Sequence, residues 1–321
     1  MKKKVIFITS SRSEYYLIKP LLLKCKKNQA IDLKIVVCGG HNKKYFGNSY
    51  EDIKKDNFKN LKVIKNYSNK NLTNNTVESV IKLNKELFNF FNKEKKFILL
   101  VLGDRYEALC ASNLAHYLDM PVFHISGGDT SLGSKDEKNR NMISIISDLH
   151  FTKTQKHRDK LKSLNIDKKK IFVVGSLVSE SIKINKINPF SKYKDYCLVS
   201  IHPSNETLNQ NIKTVKVIEQ LTKKLKNLNF IFTSSSHDNY GERINKLIMN
   251  MCKKYKNCIY FKNLGGQKYL NAINCSCFML GNSSSGIIES SFFSKPSISI
   301  LPRQLGRQAN RNVYFVSKSL K

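Results

Sequence analysis

Short, solidly apolar runs alternate with longer amphipathic stretches from one end of this chain to the other, and that alternation restricts its possible folds more than any other feature. Residues 5–9, 32–37, 97–102, 122–125 and 171–174 read as strands in the first half, and 197–201, 230–233, 258–261, 277–280 and 297–300 in the second. Several of these runs are apolar throughout, as strands covered by helices on both faces should be. Between them, 14–27, 76–92, 105–118, 210–225 and 241–254 carry helical periodicity. Such an order predicts an α/β protein with parallel sheets and right-handed crossovers. The alternation pauses once, over 179–195, a stretch of Asn, Lys and Ser around Pro189. With 321 residues to place, this predicts an N-terminal domain over 1–180, a linker over 181–195 and a C-terminal domain over 196–321.

Composition narrows the function classes. The formal net charge of +32 raises the question of a nucleic-acid partner. The lysines are scattered, however, and no helix-turn-helix, RRM, KH or zinc-finger spacing is present, so nucleic acid is not expected. A positive field still concentrates a small phosphorylated substrate. The eight cysteines make no C-x-x-C pair, so no metal site is expected, and most sit in apolar runs where Cys acts as a small buried hydrophobe. The apolar run after the basic N-terminus is too short for a secretory signal, and no run approaches the ~18 residues of a membrane span. These features predict a reduced, cytoplasmic enzyme with no membrane partner.

In parallel α/β sheets, ligands gather outside the carboxyl ends of the strands, so the residues just after each strand are the candidates for chemistry. After the first strand stands Ser10-Ser11-Arg12-Ser13-Glu14. Ser13 is a candidate helix cap, and Arg12 suits a phosphate because a guanidinium fork matches phosphate oxygens. Gly103-Asp104-Arg105-Tyr106-Glu107 follows another strand, and Ser126-Gly127-Gly128-Asp129 a third, with Asp136-Glu137 seven residues on. Glycines admit close approach of a ligand, and carboxylates on adjacent strand ends suit proton transfer. In the second half Ile201-His202-Pro203 ends a strand with an imidazole. Gly281-Asn282-Ser283-Ser284-Ser285-Gly286-Ile287-Ile288-Glu289 follows another and is expected to open a helix. Serine hydroxyls and free N–H groups there would form an anion site. It is no Walker loop, because G-K-[ST] is missing.

Taken together, SSRSEYYLIKPLL, LGDRYEALCAS, PVFHISGGDT, DLHF, VVGSL, IHP, GNSSSGIIE and RQLGR resemble the hydrolysing UDP-N-acetylglucosamine 2-epimerases of bacterial sialic-acid and legionaminic-acid pathways. The resemblance covers nearly the whole chain, in the family's order. It implies the GT-B fold, two Rossmann-like doubly wound domains facing across a cleft. It implies that a UDP-sugar, UDP-N-acetylglucosamine or a 2,4-diacetamido analogue, loses UDP by anti-elimination, and that water adds to the resulting glycal. The product would be the 2-epimeric free sugar, such as N-acetylmannosamine. By the same resemblance Asp104, Asp129 and Asp136 are the acid/base carboxylates. Arg12, His202, Ser283, Ser284, Ser285 and Gly286 contact the UDP phosphates, and Glu289 the ribose. No cofactor is implied, since this route moves no hydride. A homo-oligomer, dimer or tetramer, is implied.

Three departures from the family pattern stand out. Asp129 occupies the place of a glutamate, so its carboxylate sits one methylene back. Asn141 follows Arg140 where relatives carry histidine. The second domain is expected to lack the family's final helices. Two other functions remain open at this point: a GT-B glycosyltransferase, which has less use for the acidic groups of the first half, and a truncated, non-catalytic sugar-nucleotide binder.

Overall fold

The structure is a computed structural model that describes residues 2–42, 49–66, 75–182, 187–236 and 240–318. The chain divides into two compact units. One comprises Met1–Asp129 and Asp136–Leu177, the other Thr130–Lys135 and Val178–Lys321.

The first unit holds seven strands: β1 (Lys3–Thr9), β2 (Ile31–Val37), β3 (Asn60–Val63), β4 (Ile98–Leu102), β5 (Val122–Ile125), β6 (Leu149–Thr152) and β7 (Ile171–Val173). They form one sheet in the order β3-β2-β1-β4-β5-β6-β7, and every pairing is parallel. The helices are α1 (Arg12–Lys27), α2 (Tyr50–Lys55), α3 (Asn75–Glu94), α4 (Tyr106–Tyr117), α5 (Asp136–Ile146) and α6 (Gln155–Ser163). Successive strand residues serve opposite faces of the sheet. Ile6, Ile8, Leu99 and Val101 pack with Leu83 and Leu87 of α3 and Ala111 of α4. Phe7, Leu100 and Leu102 pack with Tyr15, Ile18 and Leu22 of α1. Both faces are therefore apolar, which is why these strands show no alternation. Each fully buried Leu or Ile contributes about 1.5–3 kcal/mol.

The second unit repeats the design with α7 (Val178–Ser181), β8 (Tyr196–Ser200), α8 (Leu208–Lys224), β9 (Asn229–Thr233), α9 (Gly241–Lys254), β10 (Cys258–Phe261), α10 (Gly266–Cys275), β11 (Phe278–Gly281), α11 (Glu289–Phe292), β12 (Ser297–Ile300) and β13 (Val313–Val316). Its sheet runs β10-β9-β8-β11-β12-β13, again parallel throughout. Both sheets thus reverse direction between their first strand and the fourth to appear in the chain. Such a reversal opens a crevice at the strand ends.

Two local expectations are corrected. The cap of α1 is Ser11, not Ser13: its side chain and that of Glu14 form a reciprocal capping box. A Glu three residues beyond the cap reaches the cap's own N–H, which fixes the helix start two residues earlier. The serine run opens no long helix; Ser284–Gly286 is a 3-10 turn and α11 is only four residues.

The boundary between units falls at Leu177 and Val178, beside the expected linker, of which 183–186 lie outside the described residues. Thr130–Lys135, expected within the first domain, clusters with the second unit. Main-chain contacts account for this. Leu132 N–H donates to the Leu305 carbonyl at 2.9 Å, and Asn205 N–H to the Gly133 carbonyl at 3.2 Å. A Cβ on Gly133 would fall 2.0 Å from the Pro302 carbonyl oxygen, so no larger residue fits there. The chain therefore passes between units on either side of this segment, directly after Asp129 and directly before Asp136.

Among the described residues no helix is long and apolar enough to cross a membrane. Cys38, Cys110, Cys197 and Cys258 are buried, and Cys277 is exposed.

Candidate active site

In the first unit the strand ends present acids gathered around a buried arginine. Beyond β4, Gly103 turns the chain with φ +78°, a value that glycine adopts freely, and Asp104 follows. His124 on β5 holds this turn. Its Nε2 lies 2.8 Å from the Gly103 carbonyl and its Nδ1 3.1 Å from Ser144 Oγ. A carbonyl only accepts, so the ring proton sits on Nε2 and Nδ1 accepts from the serine. Burial pushes His124 down to about 3, only partly offset by its bond to Gly103, so the ring stays neutral and rigidly oriented.

Arg140, in α5, is 1% exposed and joins three backbone neighbourhoods. One terminal nitrogen meets the Asp104 carboxylate. The other donates to Glu137 Oε2 at 2.8 Å and to the Asp129 carbonyl at 3.1 Å. Burial works against its charge, but the carboxylates of Asp104 and Asp129 outweigh that and hold the guanidinium firmly protonated. The Asp129 carbonyl also accepts from Lys160 Nζ at 2.9 Å, and Lys160 meets Glu137 Oε1 at 2.5 Å. Asp129 itself is 4% exposed, with Lys153 Nζ 2.8 Å from its Oδ2 and His157 Nε2 3.5 Å from its Oδ1.

Of the three aspartates singled out in the sequence, Asp104 and Asp129 are tied together through Arg140. Asp136 is the first residue of α5, and Glu137 is the α5 acid bonded to Arg140 and Lys160. Sequence reasoning gave no role to Arg140, Lys153, His157 or Lys160, and noted Glu137 only beside Asp136 among the strand-end carboxylates. The Glu137–Arg140 spacing, one helical turn, is the signal that could have found that pair.

A second acidic pair lies at the direction reversal of the same sheet, beside Arg12 at the start of α1. Glu14 Oε2 accepts from Ser10 N–H (3.0 Å), Ser10 Oγ (3.1 Å) and Ser11 N–H (3.3 Å). Burial pushes its carboxyl up to about 8; the Ser10 N–H pulls the other way and Glu107 adds to the rise. The ordinary value is 4.5, so between about 4.5 and about 8 the native state holds a proton that the unfolded chain has released. Stability must then fall as pH rises through that window. Glu14→Gln keeps the shape without the titration. Urea unfolding at pH 5 and pH 8 should show the variant gaining on the parent by on the order of 3 kcal/mol across the window. Parallel pH curves for the two proteins would assign Glu14 an ordinary carboxyl.

In the second unit the reversal lies between β8 and β11, and Asn282 bridges the two strands. Its side chain accepts from His202 N–H at 2.7 Å and donates to the His202 carbonyl at 2.7 Å. His202 Nδ1 accepts from Ser236 N–H at 2.9 Å, which places the ring proton on Nε2. Gly286 lies where a Cβ would come within 2.7 Å of Ser297 Oγ, so the serine turn presses close against β12. Ser283 caps the turn by accepting from Ser285 N–H at 3.3 Å. Arg303 Nε donates to the Pro203 carbonyl at 3.0 Å, and Gln304 Nε2 to the Asn282 carbonyl at 2.8 Å. His202, Ser283, Ser284, Ser285, Gly286 and Glu289 thus share one unit, whereas Arg12 belongs to the other. Asn282 and Ser236, which hold His202, had no assigned role in the sequence.

Two Rossmann-like units of the same winding, with acids and bases collected at strand ends, define an α/β enzyme scaffold of the GT-B type. Residues 23–320 match the family described as UDP-N-acetylglucosamine 2-epimerase. A hydrolysing GDP/UDP-N,N'-diacetylbacillosamine 2-epimerase of Campylobacter jejuni is 32% identical, over 97% of this chain and 84% of that protein. Polysialic acid biosynthesis protein P7 of Escherichia coli is also 32% identical, over 98% and 82%. Among solved structures, UDP-GlcNAc 2-epimerase of Methanocaldococcus jannaschii, in complex with UDP-GlcNAc and UDP, shares the fold with a TM-score of 0.79 at 20% identity, covering 99% of this chain and 89% of that one. The chain belongs to the UDP-N-acetylglucosamine 2-epimerase family.

Proposed function

We propose that this enzyme converts a UDP-linked 2-acetamido sugar and water to UDP and the free 2-epimeric sugar, with Asp104, Asp129 and Asp136 as its acid/base groups. Hydrolysing 2-epimerisation is the activity its family membership and its relatives of known name support. One carboxylate removes the C2 proton, the C–H electron pair forms the C1=C2 bond, and the C1–O bond to UDP breaks. Water then adds its oxygen to C1, and an acid returns a proton to C2 on the opposite face. Abstraction of so weak a carbon acid needs a positioned base, and departure of UDP needs donors around the diphosphate. Arg12, His202, Ser283, Ser284, Ser285 and Gly286 are the proposed diphosphate contacts, and Glu289 the ribose contact. The observation that carries this reading is the convergence of Asp104, Glu137 and the Asp129 main chain on buried Arg140.

The C. jejuni relative is named for a diacetamido sugar, so that analogue is the first substrate to try beside UDP-N-acetylglucosamine. GDP-linked forms are the control for the nucleotide. Incubation in D2O followed by NMR should show UDP and a free sugar of inverted C2 configuration carrying deuterium at C2. Release of UDP with C2 configuration retained and undeuterated would exclude the elimination route, and transfer of the sugar to an added acceptor would favour a glycosyltransferase. A cytoplasmic location and a homo-oligomer belong to the same proposal, and sedimentation velocity measures the latter.

A further inference from the structure

We infer that His157, backed by Thr154 and paired with Lys153, is the positioning residue that fixes the Asp129 carboxylate for proton transfer. The inference rests on the assignment of Asp129 to acid/base chemistry above.

Each oxygen of the buried Asp129 carboxylate faces its own partner: Lys153 Nζ lies 2.8 Å from Oδ2 and His157 Nε2 3.5 Å from Oδ1. Held from both sides, the group has lost its freedom to rotate about the bond to Cβ. The imidazole is itself oriented. Thr154, the cap of α6, accepts from His157 N–H at 3.4 Å, and its hydroxyl lies 3.2 Å from His157 Nδ1. With the threonine hydroxyl donating to Nδ1, the ring proton is on Nε2, directed at Asp129.

The backbone sets the distance as well. A Cβ on Gly128, at φ +76°, would fall 2.1 Å from the His157 carbonyl oxygen. The main chain one residue before Asp129 is therefore pressed against the first turn of α6, and only glycine permits that approach. Two short segments, 127–129 and 153–157, are thus held together through a main-chain contact and two side-chain contacts. A catalytic acid/base group gains from such fixation because rate depends steeply on placement of the reacting atoms. The further charged neighbours are Lys160 on α6, Arg140 and Glu137 on α5, and Asp104 after β4. Arg140 and Lys160 bond the Asp129 carbonyl, whereas Lys153 and His157 face its carboxylate oxygens.

The test compares His157→Phe, which fills the ring volume without a donor, with His157→Gln, whose amide nitrogen can stand in for Nε2. Asp129→Asn and the Phe/Asn double variant complete the set. Turnover, KM, UDP affinity and thermal midpoint are read for each. His157→Phe is expected to lower kcat by about a hundredfold while KM and UDP affinity stay within about threefold, and His157→Gln to restore about a tenth or more of the parent rate. In the Asp129→Asn background His157→Phe should cost nothing further. If Asp129→Asn is inactive and His157→Phe keeps the parent kcat, or if the Gln variant is no better than Phe, His157 is only a packing residue. If Asp129→Asn itself turns over like the parent, the assignment of Asp129 fails and the inference falls with it.

Discussion

Asp104→Asn is expected to lower turnover by roughly a thousandfold while UDP affinity stays close to that of the parent. The amide keeps the shape of the carboxylate, and its oxygen still accepts from Arg140, so the turn after Gly103 should survive. What it loses is the capacity to take or give a proton. Asp104 is bonded to Arg140, and its side chain is 25% exposed, so it is anchored on one side and accessible on the other. Losing one charge from beside Arg140 should cost about 1–2 kcal/mol of stability, far too little to explain a thousandfold loss of rate through unfolding. The measurements are product formation by NMR, UDP titration by calorimetry and a thermal midpoint. Turnover within threefold of the parent would remove Asp104 from the proton-transfer assignment. A loss of UDP affinity equal to the loss of rate would mean the carboxylate shapes the nucleotide half instead.

Asp104 could be singled out in the sequence because it follows a strand of five apolar residues, and covered strands advertise themselves. The strands that escaped were those with one face or edge in contact with water. β3 alternates half-buried and exposed positions, and β13 is mostly exposed. In β6 the buried positions are taken by His150 and Thr152, residues no apolar template counts. The helix α6 was missed for a related reason. Its buried side chains are His157 and Leu161, too thin a stripe to register as periodicity among lysines. That miss hid half of the candidate site, because α6 and the residues just before it carry Lys153, His157 and Lys160. Family resemblance pointed to the acids, two of which, Asp104 and Asp129, lie within quoted motifs. It assigned nothing to the bases that hold them, and those depend on which helices pack beside which strand ends.

Removing the base at the centre should have the largest effect on stability. Arg140→Met takes their shared cation from the carboxylates of Asp104 and Glu137, leaves Lys160 on the Glu137 side, and takes a donor from the Asp129 carbonyl. Breaking a buried pair by removing one partner typically costs about 3–5 kcal/mol, because the remaining charge is stranded. Turnover should fall below detection, since both candidate aspartates lose their common anchor. Arg140→Lys separates charge from geometry: an ammonium is a single point, and it is not able to span Asp104 on one side and Glu137 with Asp129 on the other. It should recover part of the stability and little of the turnover. Asp104→Asn supplies the decisive control. In the parent it removes a favourable charge and destabilises; in the Arg140→Met background it neutralises a part-buried carboxylate that has lost Arg140 and should stabilise. The sign of its effect is therefore expected to reverse, giving a coupling of about 1–3 kcal/mol in a double-mutant cycle measured by urea unfolding. An additive cycle, or a parent-like unfolding midpoint for Arg140→Met, would show that Arg140 does not hold these acids together.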